Sequence, residues 1–211
     1  IFGTYLGILT ISITLIIIIV TAAVSIIAFS NREFYTYLLF EPYVINARKE
    51  YHRFISHAFV HANWTHLAVN MFGTSVEMLY SMITDGGRLL PFLGLYFGGV
   101  LFASIPSYKK HILNPSYRAV GASGAVSAVL FAQILMLPTR SVEMLFIPVP
   151  MPAWVFGGLY LAYSWYMDKQ STDNVAHDAH FYGAVFGLVY TALLEPQLII
   201  SIGSFQSSLG L

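Results

Sequence analysis

Long apolar segments without charge constrain the fold of this chain more than any other feature. Residues 1–31 contain no charged side chain, and residues 5–29 alone are long enough to cross a bilayer, which takes about 20 helical residues. Charged residues make up 9% of the chain, whereas soluble domains carry about 25%. We therefore expect an all-α membrane protein.

The apolar segments are separated by polar or proline-containing loops, including a tight turn at residues 85–88 and a polar loop at 168–174. They predict six spanning helices, at about residues 4–29, 53–82, 89–104, 120–137, 153–167 and 175–200. Residues 31–52 mix charges with aromatic rings, which predicts a long loop in the membrane interface; an ordinary solvated loop is the alternative. The helices use nearly the whole chain, so we expect a single membrane domain over residues 1–211, and no strong internal repeat indicates a transporter.

Charge and cysteine content exclude several classes of function. Ten basic and ten acidic residues balance, and no clustered basic face indicates a nucleic-acid partner. The chain has no cysteine, which excludes disulfides, thiolate metal sites and a cysteine nucleophile. It begins with Ile1 rather than Met, so we expect a fragment of a longer protein. The lipid bilayer is the expected surrounding, and nothing indicates an oligomeric state.

A serine between small residues opens the fourth predicted helix. Ser123 lies in the sequence Gly121-Ala122-Ser123-Gly124. Backbone N–H groups at a helix start lack partners within the helix and lie near the positive end of its dipole. Such donors can stabilise an oxyanion, which makes Ser123 a candidate nucleophile. Alone, this pattern is a weak signal, because small-residue runs are common in membrane helices.

The candidate base is His180, at the start of the sixth predicted helix. Gly183 and Gly187 follow it as G-x-x-x-G, and small faces let two membrane helices approach closely. Contact between this face and the small residues around Ser123 would bring the serine within hydrogen-bond reach of His180. That reach is the minimum requirement for an activated serine nucleophile.

Polar residues also interrupt the second predicted helix. His57 and His61 are four residues apart, as are His66 and Asn70, so each pair shares a helical face. Polar groups inside a membrane helix usually face the bundle interior and indicate a functional cluster. Two interhelical hydrogen-bonding patches without chemistry are the alternative.

The three motifs together resemble those of the rhomboid family of intramembrane serine proteases. The family's H-x-x-x-H-x-x-x-x-H-x-x-x-N, G-x-S-G and A-H-x-x-G-x-x-x-G patterns match residues 57–70, 121–124 and 179–187. The resemblance implies a rhomboid-like six-helix bundle around a water-filled cavity, with Ser123 as nucleophile and His180 as general base. It implies an oxyanion hole formed by His66, Asn70 and the Ser123 backbone N–H. The positions of close helix packing at the site would be Gly121, Gly124, Gly183 and Gly187.

The same resemblance implies partners and a location. Substrates would be membrane proteins cut in or near a transmembrane segment, without metal, ATP or another cofactor. Bacterial members suggest the inner membrane of a bacterium and a site that opens outward. Most basic residues lie in loops on the Ser123 side, with only Arg88 and Arg140 opposite, so the positive-inside rule favours the reverse orientation. We follow the resemblance.

The chain departs from the family at two informative positions. Many bacterial members have tryptophan before the arginine that starts the second helix, whereas here His52 precedes Arg53. Some members place a tyrosine four residues after the nucleophile, against the catalytic imidazole, and here that residue is Ser127. The sequence does not identify the group that orients His180. Asp178 is only two residues away, but two residues apart on a helix point to different sides.

Two other functions compete with proteolysis. One is an inactive rhomboid-like binding module, although such proteins usually lack the serine or the histidine. The other is a metal transporter or metalloprotease that uses the histidines of the second predicted helix. That alternative lacks an H-E-x-x-H pattern and nearby acidic ligands.

Overall fold

A computed structural model describes residues 2–84, 89–144, 147–170 and 175–198 of the chain. These residues are mostly helical, as the sequence predicts. The helices are α1 Phe2–Ser30, α2 Arg32–Leu38, α3 Pro42–Arg48, α4 Arg53–Ser56, α5 Trp64–Thr84, α6 Leu89–His111, α7 Ser123–Met136, α8 Ala153–Gln170 and α9 His177–Leu194. The turn expected at residues 85–88, residues 171–174 of the polar loop and residues 199–211 lie outside the described residues.

The first predicted helix agrees with α1, but the loop expected at residues 31–52 contains two short helices. The side chain of Asn31 caps α2 by accepting a hydrogen bond from the Phe34 N–H at 3.0 Å. Pro42 opens α3, where its missing N–H has no cost. Lys49 ends α3 in the left-handed region, with φ 59°. Capping residues thus divide the polar segment into α2 and α3.

The prediction of one continuous helix at residues 53–82 is wrong. Helix α4 is followed by a 3₁₀ turn at His57–Phe59, and α5 begins only at Trp64. Val60 is extended, with φ −120° and ψ 148°. The side chain of Asn63 then accepts a hydrogen bond from the His66 N–H at 2.8 Å, which caps the new helix.

The later helices keep their predicted order with shifted ends. Helix α6 continues past the expected end at residue 104 and through Pro106 to His111. Buried Ser104 and Ser107 pack this turn against its neighbours, and packing outweighs the one backbone hydrogen bond that proline removes. Helix α7 starts three residues late because Gly121 adopts φ 106°. Helix α9 ends at Leu194 rather than residue 200 because Pro196 disfavours helix in the residue before it.

A β-hairpin between α7 and α8 contradicts the all-α prediction. Strand β1 (Ser141–Met144) pairs antiparallel with strand β2 (Ile147–Pro152). The prolines of β2 predict a loop when the sequence is considered alone. In a two-stranded sheet each strand has an open edge, where proline removes no interstrand hydrogen bond. The apolar residues of β2 alternate with these prolines, which is the period of a strand.

Helix α7 lies at the centre of the fold. It packs against α5, α6, α8 and α9, and nine of its 14 residues are buried. Many of these are small, such as Ala125 and Ala128, which lie in one core with Tyr96 and Val100 of α6. A short, small-residue helix is therefore surrounded by its neighbours at close range, and its first residue is Ser123.

Among the helical segments whose side chains the structure describes, one is long and apolar enough to cross a membrane. By length and apolar composition, Leu90–His111 could cross a membrane, and Leu15–Ser30 and Ser123–Met136 form shorter apolar helices. The six spanning helices stay a prediction.

Candidate active site

The loop that leads into Ser123 is held by the connection between α1 and α5. Phe40 and Ala119 exchange two backbone hydrogen bonds, each 3.0 Å long. The Gly121 N–H donates to the His57 carbonyl at 2.9 Å. At φ 106° Gly121 has a backbone conformation that residues with a Cβ rarely adopt. The chain therefore enters α7 through a fixed turn, with Ser123 in its first position.

The start of α7 lies directly against the first turns of α9. A Cβ built on Gly183 would overlap the carbonyl group of Gly124, and one built on Gly187 would overlap that of Ala128. A Cβ on Gly124 would lie 3.5 Å from the Ala179 carbonyl oxygen. The residues next to Ser123 thus meet the residues on both sides of His180 with no side chain between the backbones.

His66 approaches the same loop from α5. A Cβ on Gly121 would lie 2.8 Å from His66 Nε2, so the imidazole packs on this glycine. His66 Nδ1 accepts a hydrogen bond from the Ala62 N–H at 3.4 Å. A neutral imidazole that accepts at Nδ1 carries its proton on Nε2. His66 therefore presents an N–H donor to the loop that contains Ser123.

Asn70 lies one turn further along α5 and is buried. Its Nδ2 donates to the His66 carbonyl at 2.9 Å. This contact engages one of the two N–H donors that a side-chain amide carries. His66 and Asn70 share a face of one helix, as the sequence predicts for this pair.

His57 and His61 are not on that helix. His61 is fully buried, with Nδ1 at 2.9 Å from Ser25 Oγ, and its ring meets the edge of His66 at 5.0 Å. His57 Nδ1 donates to the Arg53 carbonyl at 3.1 Å, and Nε2 lies 3.4 Å from Ser104 Oγ. These contacts tie α1, α4 and α6 together.

A cavity opens beside Ser123 and brings polar groups from several elements to it. Its lining includes Ser123, His57, Ser104, Ala176 and Ala179. Since His180 directly follows Ala179, the cavity lies where the starts of α7 and α9 meet. The rest of its lining is small or apolar, and His180, His66 and Asn70 are not among the residues that line it.

The His180 imidazole packs against other rings. Its centroid lies 6.3 Å from that of Tyr160 on α8, with the planes 29° apart, and 5.9 Å from that of His177. Tyr160 OH lies 2.6 Å from Ser127 Oγ on α7. The sequence does not predict these contacts of Tyr160, because α8 contains many aromatic residues. The one available signal is the absence of an aromatic residue at position 127.

The Asp178 carboxylate makes contacts with α6 and with its own helix. It accepts hydrogen bonds from Ser107 Oγ on α6 and from the Ala179 N–H. It belongs to a buried polar group at the end of α6, where burial and then the nearby Asp178 carboxylate raise the pKa of the Tyr117 phenol. The carboxylate thus joins α9 to α6.

Arg53 anchors the connection between α1 and α5, although His52 precedes it. The buried guanidinium donates to the carbonyls of Thr36 and Leu39, each at 2.8 Å, and lies 3.3 Å from the Glu41 carboxylate. His52 stacks on a tyrosine ring at 4.5 Å. This connection is therefore fixed beside the loop that precedes Ser123.

Metal binding has no geometric support in the described part of the chain. There, no group of three or more histidine, cysteine, aspartate or glutamate side chains is arranged to hold a metal ion. His61 and His66 meet only as an edge-to-face pair of rings.

Two comparisons place the chain among known proteins. The family model described as "Rhomboid domain" matches residues 48–197, which is well over half of the chain and includes every candidate site residue. The curated protein "RHOMBOID-like protein 12, mitochondrial" of Arabidopsis thaliana is 26% identical over 164 residues, 68% of this chain and 46% of that relative. The chain thus spans about half the length of the curated relative it matches.

The matched residues include the helices and the loop that form the candidate site. The match therefore defines the class of protein. The chain belongs to the rhomboid family. Proteins of this family are usually hydrolases that act on membrane-protein substrates within the bilayer. The expectation of a bacterial inner membrane gains no support, because the matched relative is named as a mitochondrial plant protein.

Proposed function

We propose that this protein is an intramembrane serine endopeptidase in which Ser123 is the nucleophile and His180 the general base. The observation that carries the proposal is the contact of backbones between Gly124 on α7 and Gly183 on α9. It supports a serine–histidine pair because these glycines lie next to Ser123 and three residues after His180. Family membership supports a substrate class of membrane proteins with a transmembrane segment.

The reaction follows from the chemistry of these groups. Ser123 Oγ attacks the carbonyl carbon of the scissile peptide bond while His180 takes the hydroxyl proton. The carbonyl oxygen becomes an oxyanion, which the His66 Nε2–H, the Asn70 amide and the Ser123 backbone N–H stabilise. The C–N bond then breaks as His180 gives its proton to the leaving nitrogen, and an acyl-enzyme remains.

Water completes the cycle. His180 takes a proton from water, whose oxygen attacks the ester carbon of the acyl-enzyme. The ester bond breaks, Ser123 Oγ recovers its proton from His180, and the second product leaves as a carboxylic acid. The cavity beside Ser123 supports this step, because three polar side chains in its lining, those of Ser123, His57 and Ser104, can bond a water molecule there.

A fluorophosphonate probe tests the proposal in detergent-solubilised protein. The unaltered chain should be labelled covalently, Ser123→Ala should abolish labelling, and His180→Ala should slow it strongly. Ser116→Ala is the matched control, because Ser116 is an exposed serine in the preceding loop. Labelling that survives Ser123→Ala would reject the proposal.

A cleavage assay separates the competing functions. The substrate is a single-span membrane protein reconstituted with this chain in vesicles. Absence of both labelling and cleavage in the folded, unaltered chain would favour an inactive binding module. Cleavage that a chelator abolishes while Ser123→Ala does not would favour a metal-dependent mechanism.

A further inference from the structure

The group that orients the candidate base is missing from the three motifs. An imidazole works as a base only when its ring is held in one orientation towards the nucleophile. The nearby Asp178 carboxylate bonds to Ser107 of α6 and to the Ala179 N–H. The ring that packs on His180 from another helix is Tyr160, with planes 29° apart.

Tyr160 is itself fixed at both ends of its side chain. Its hydroxyl lies 2.6 Å from Ser127 Oγ, and Ser127 is 2% exposed. Its ring lies between Phe131 of α7 and Phe156 of α8, with centroids at 5.5 Å and 6.0 Å. Offset or tilted ring pairs at such distances attract one another. A side chain held in this way has one orientation to offer its neighbours.

The anchor and the nucleophile share one helical face. Ser127 follows Ser123 by four residues, so their side chains lie one turn apart on α7. Tyr160 therefore crosses from α8 to the serine face of α7 directly below the nucleophile. His180 meets the Tyr160 ring from α9.

We propose that Tyr160, anchored by Ser127, is the positioning residue for the His180 imidazole, an inference that rests on the proposed function. The hydroxyl pair sets where the phenol ring lies, and the ring limits the rotation of the imidazole. Three helices contribute one part each: α7 the anchor, α8 the ring and α9 the base. The orientation of the base consequently depends on how α8 is seated against α7 and α9.

Kinetics with a reconstituted single-span substrate test this role. Tyr160→Leu should lower kcat about 10-fold and leave KM within about 2-fold, as expected when one aromatic contact that favours the reactive orientation is lost. Tyr160→Phe keeps the ring and should retain activity within about 3-fold. Tyr166→Leu is the control, because Tyr166 lies on the same helix and is 56% exposed. A Tyr160→Leu variant with unchanged kcat would overturn the inference.

A double-mutant cycle tests the anchor. Ser127→Ala and Tyr160→Phe each remove one half of the same hydrogen bond. The double variant should therefore have the same kcat as either single variant. Losses of kcat that multiply in the double variant would show that the two hydroxyls act independently and would overturn the anchor.

A spectroscopic measurement separates this inference from the proposed function. In a Ser123→Ala background with isotope-labelled histidine, His180→Ala assigns the His180 ring resonances. Tyr160→Leu should shift these resonances, because it removes the ring next to them, and Tyr166→Leu should leave them in place. Unshifted resonances in a folded Tyr160→Leu protein would overturn the inference alone. If the fluorophosphonate probe still labels the Ser123→Ala variant, the proposed function fails, whether or not these resonances shift.

Discussion

Arg53 is the residue on which the polar contacts near Ser123 converge. The buried guanidinium donates to two carbonyls and to the Glu50 carboxylate, and its removal leaves these acceptors without that donor, whereas Glu41 keeps Arg118. Arg53→Ala should therefore lower the free energy of unfolding by about 3 kcal/mol. The matched control is Arg48→Ala, because the Arg48 side chain is 73% exposed and should contribute less than about 1 kcal/mol.

Thermal unfolding in detergent measures both variants. Equal unfolding temperatures for Arg53→Ala and the unaltered chain would contradict a structural role of this network. The contact between the Arg118 guanidinium and Glu41, at 2.7 Å, is expected to persist in the variant, because it does not involve Arg53.

Under the proposed function, His66 and Asn70 differ from the other polar residues of this region because they bind the oxyanion. A donor that binds an oxyanion acts in the transition state, so its loss lowers kcat by about 100-fold or more. His66→Ala and Asn70→Ala should each show this loss with an unchanged fold. His111→Ala is the control, because His111 is a histidine outside the proposed oxyanion hole. It ends α6, and its ring stacks on Tyr117. Cleavage by His66→Ala at the rate of the control would exclude His66 from the oxyanion hole.

The contact between α7 and α9, here called the seam, leaves no room for an added methyl group at the glycines of α9. A methyl group on Gly183 would overlap the Gly124 carbonyl, so the two helices must move apart. Gly183→Ala should cost about 1–3 kcal/mol of stability and abolish labelling of Ser123. Gly158→Ala on α8 is the control, because a Cβ there meets no atom within 4 Å.

Labelling rate and unfolding temperature together decide this prediction. The control should be as stable as the unaltered chain or slightly more so, since alanine favours a helix over glycine by about 1 kcal/mol. A Gly183→Ala protein that unfolds and reacts like the control would show that the seam tolerates separation.

The elements differ in how far their sequence determined them. Apolar length alone predicts α1 correctly, because neither a charged residue nor a proline interrupts it. The helix expected through residues 53–82 breaks because the Asn63 side chain caps a new helix. That local hydrogen bond is weaker as a sequence signal than the apolar period around it. Strand β2 is likewise missed by the sequence, because its prolines predict a loop. Its pairing with β1 is a tertiary contact that the sequence of β2 does not show.

Two arguments predict opposite orientations of the molecule in the membrane. The charges of the loops favour a cytoplasmic Ser123 side, and the family resemblance favours an outward one. If the Ser123 side faces outward, an impermeant maleimide should label Lys109→Cys in intact cells. The unaltered chain has no cysteine, so it gives no background. Arg140→Cys lies on the opposite side and should react only after lysis. The reverse pattern would favour the positive-inside rule over the resemblance.

The motifs of the candidate site can be recognised in the sequence, whereas the contacts that support them become visible only in the fold. The motifs of fixed spacing contain Ser123, His66 and the glycines of α9. At these glycines, close contact between backbones requires a small residue. Tyr160 has no such pattern, because its partners Ser127 and His180 lie on other helices and their distance is set only by packing. Tertiary contacts of this kind leave no period in the sequence.

The chain order of the site sets a schedule for its assembly. The turn before Ser123 pairs with residues at 40 and 57, which are made earlier, whereas Ser123 waits for the partners on α8 and α9. Ribosomes add about 5–20 residues each second, so several seconds separate the synthesis of Ser123 from that of His180. During that interval a nascent copy carries Ser123 without His180. Under the proposed function, newly made membrane proteins beside it are not cleaved until α9 is in place.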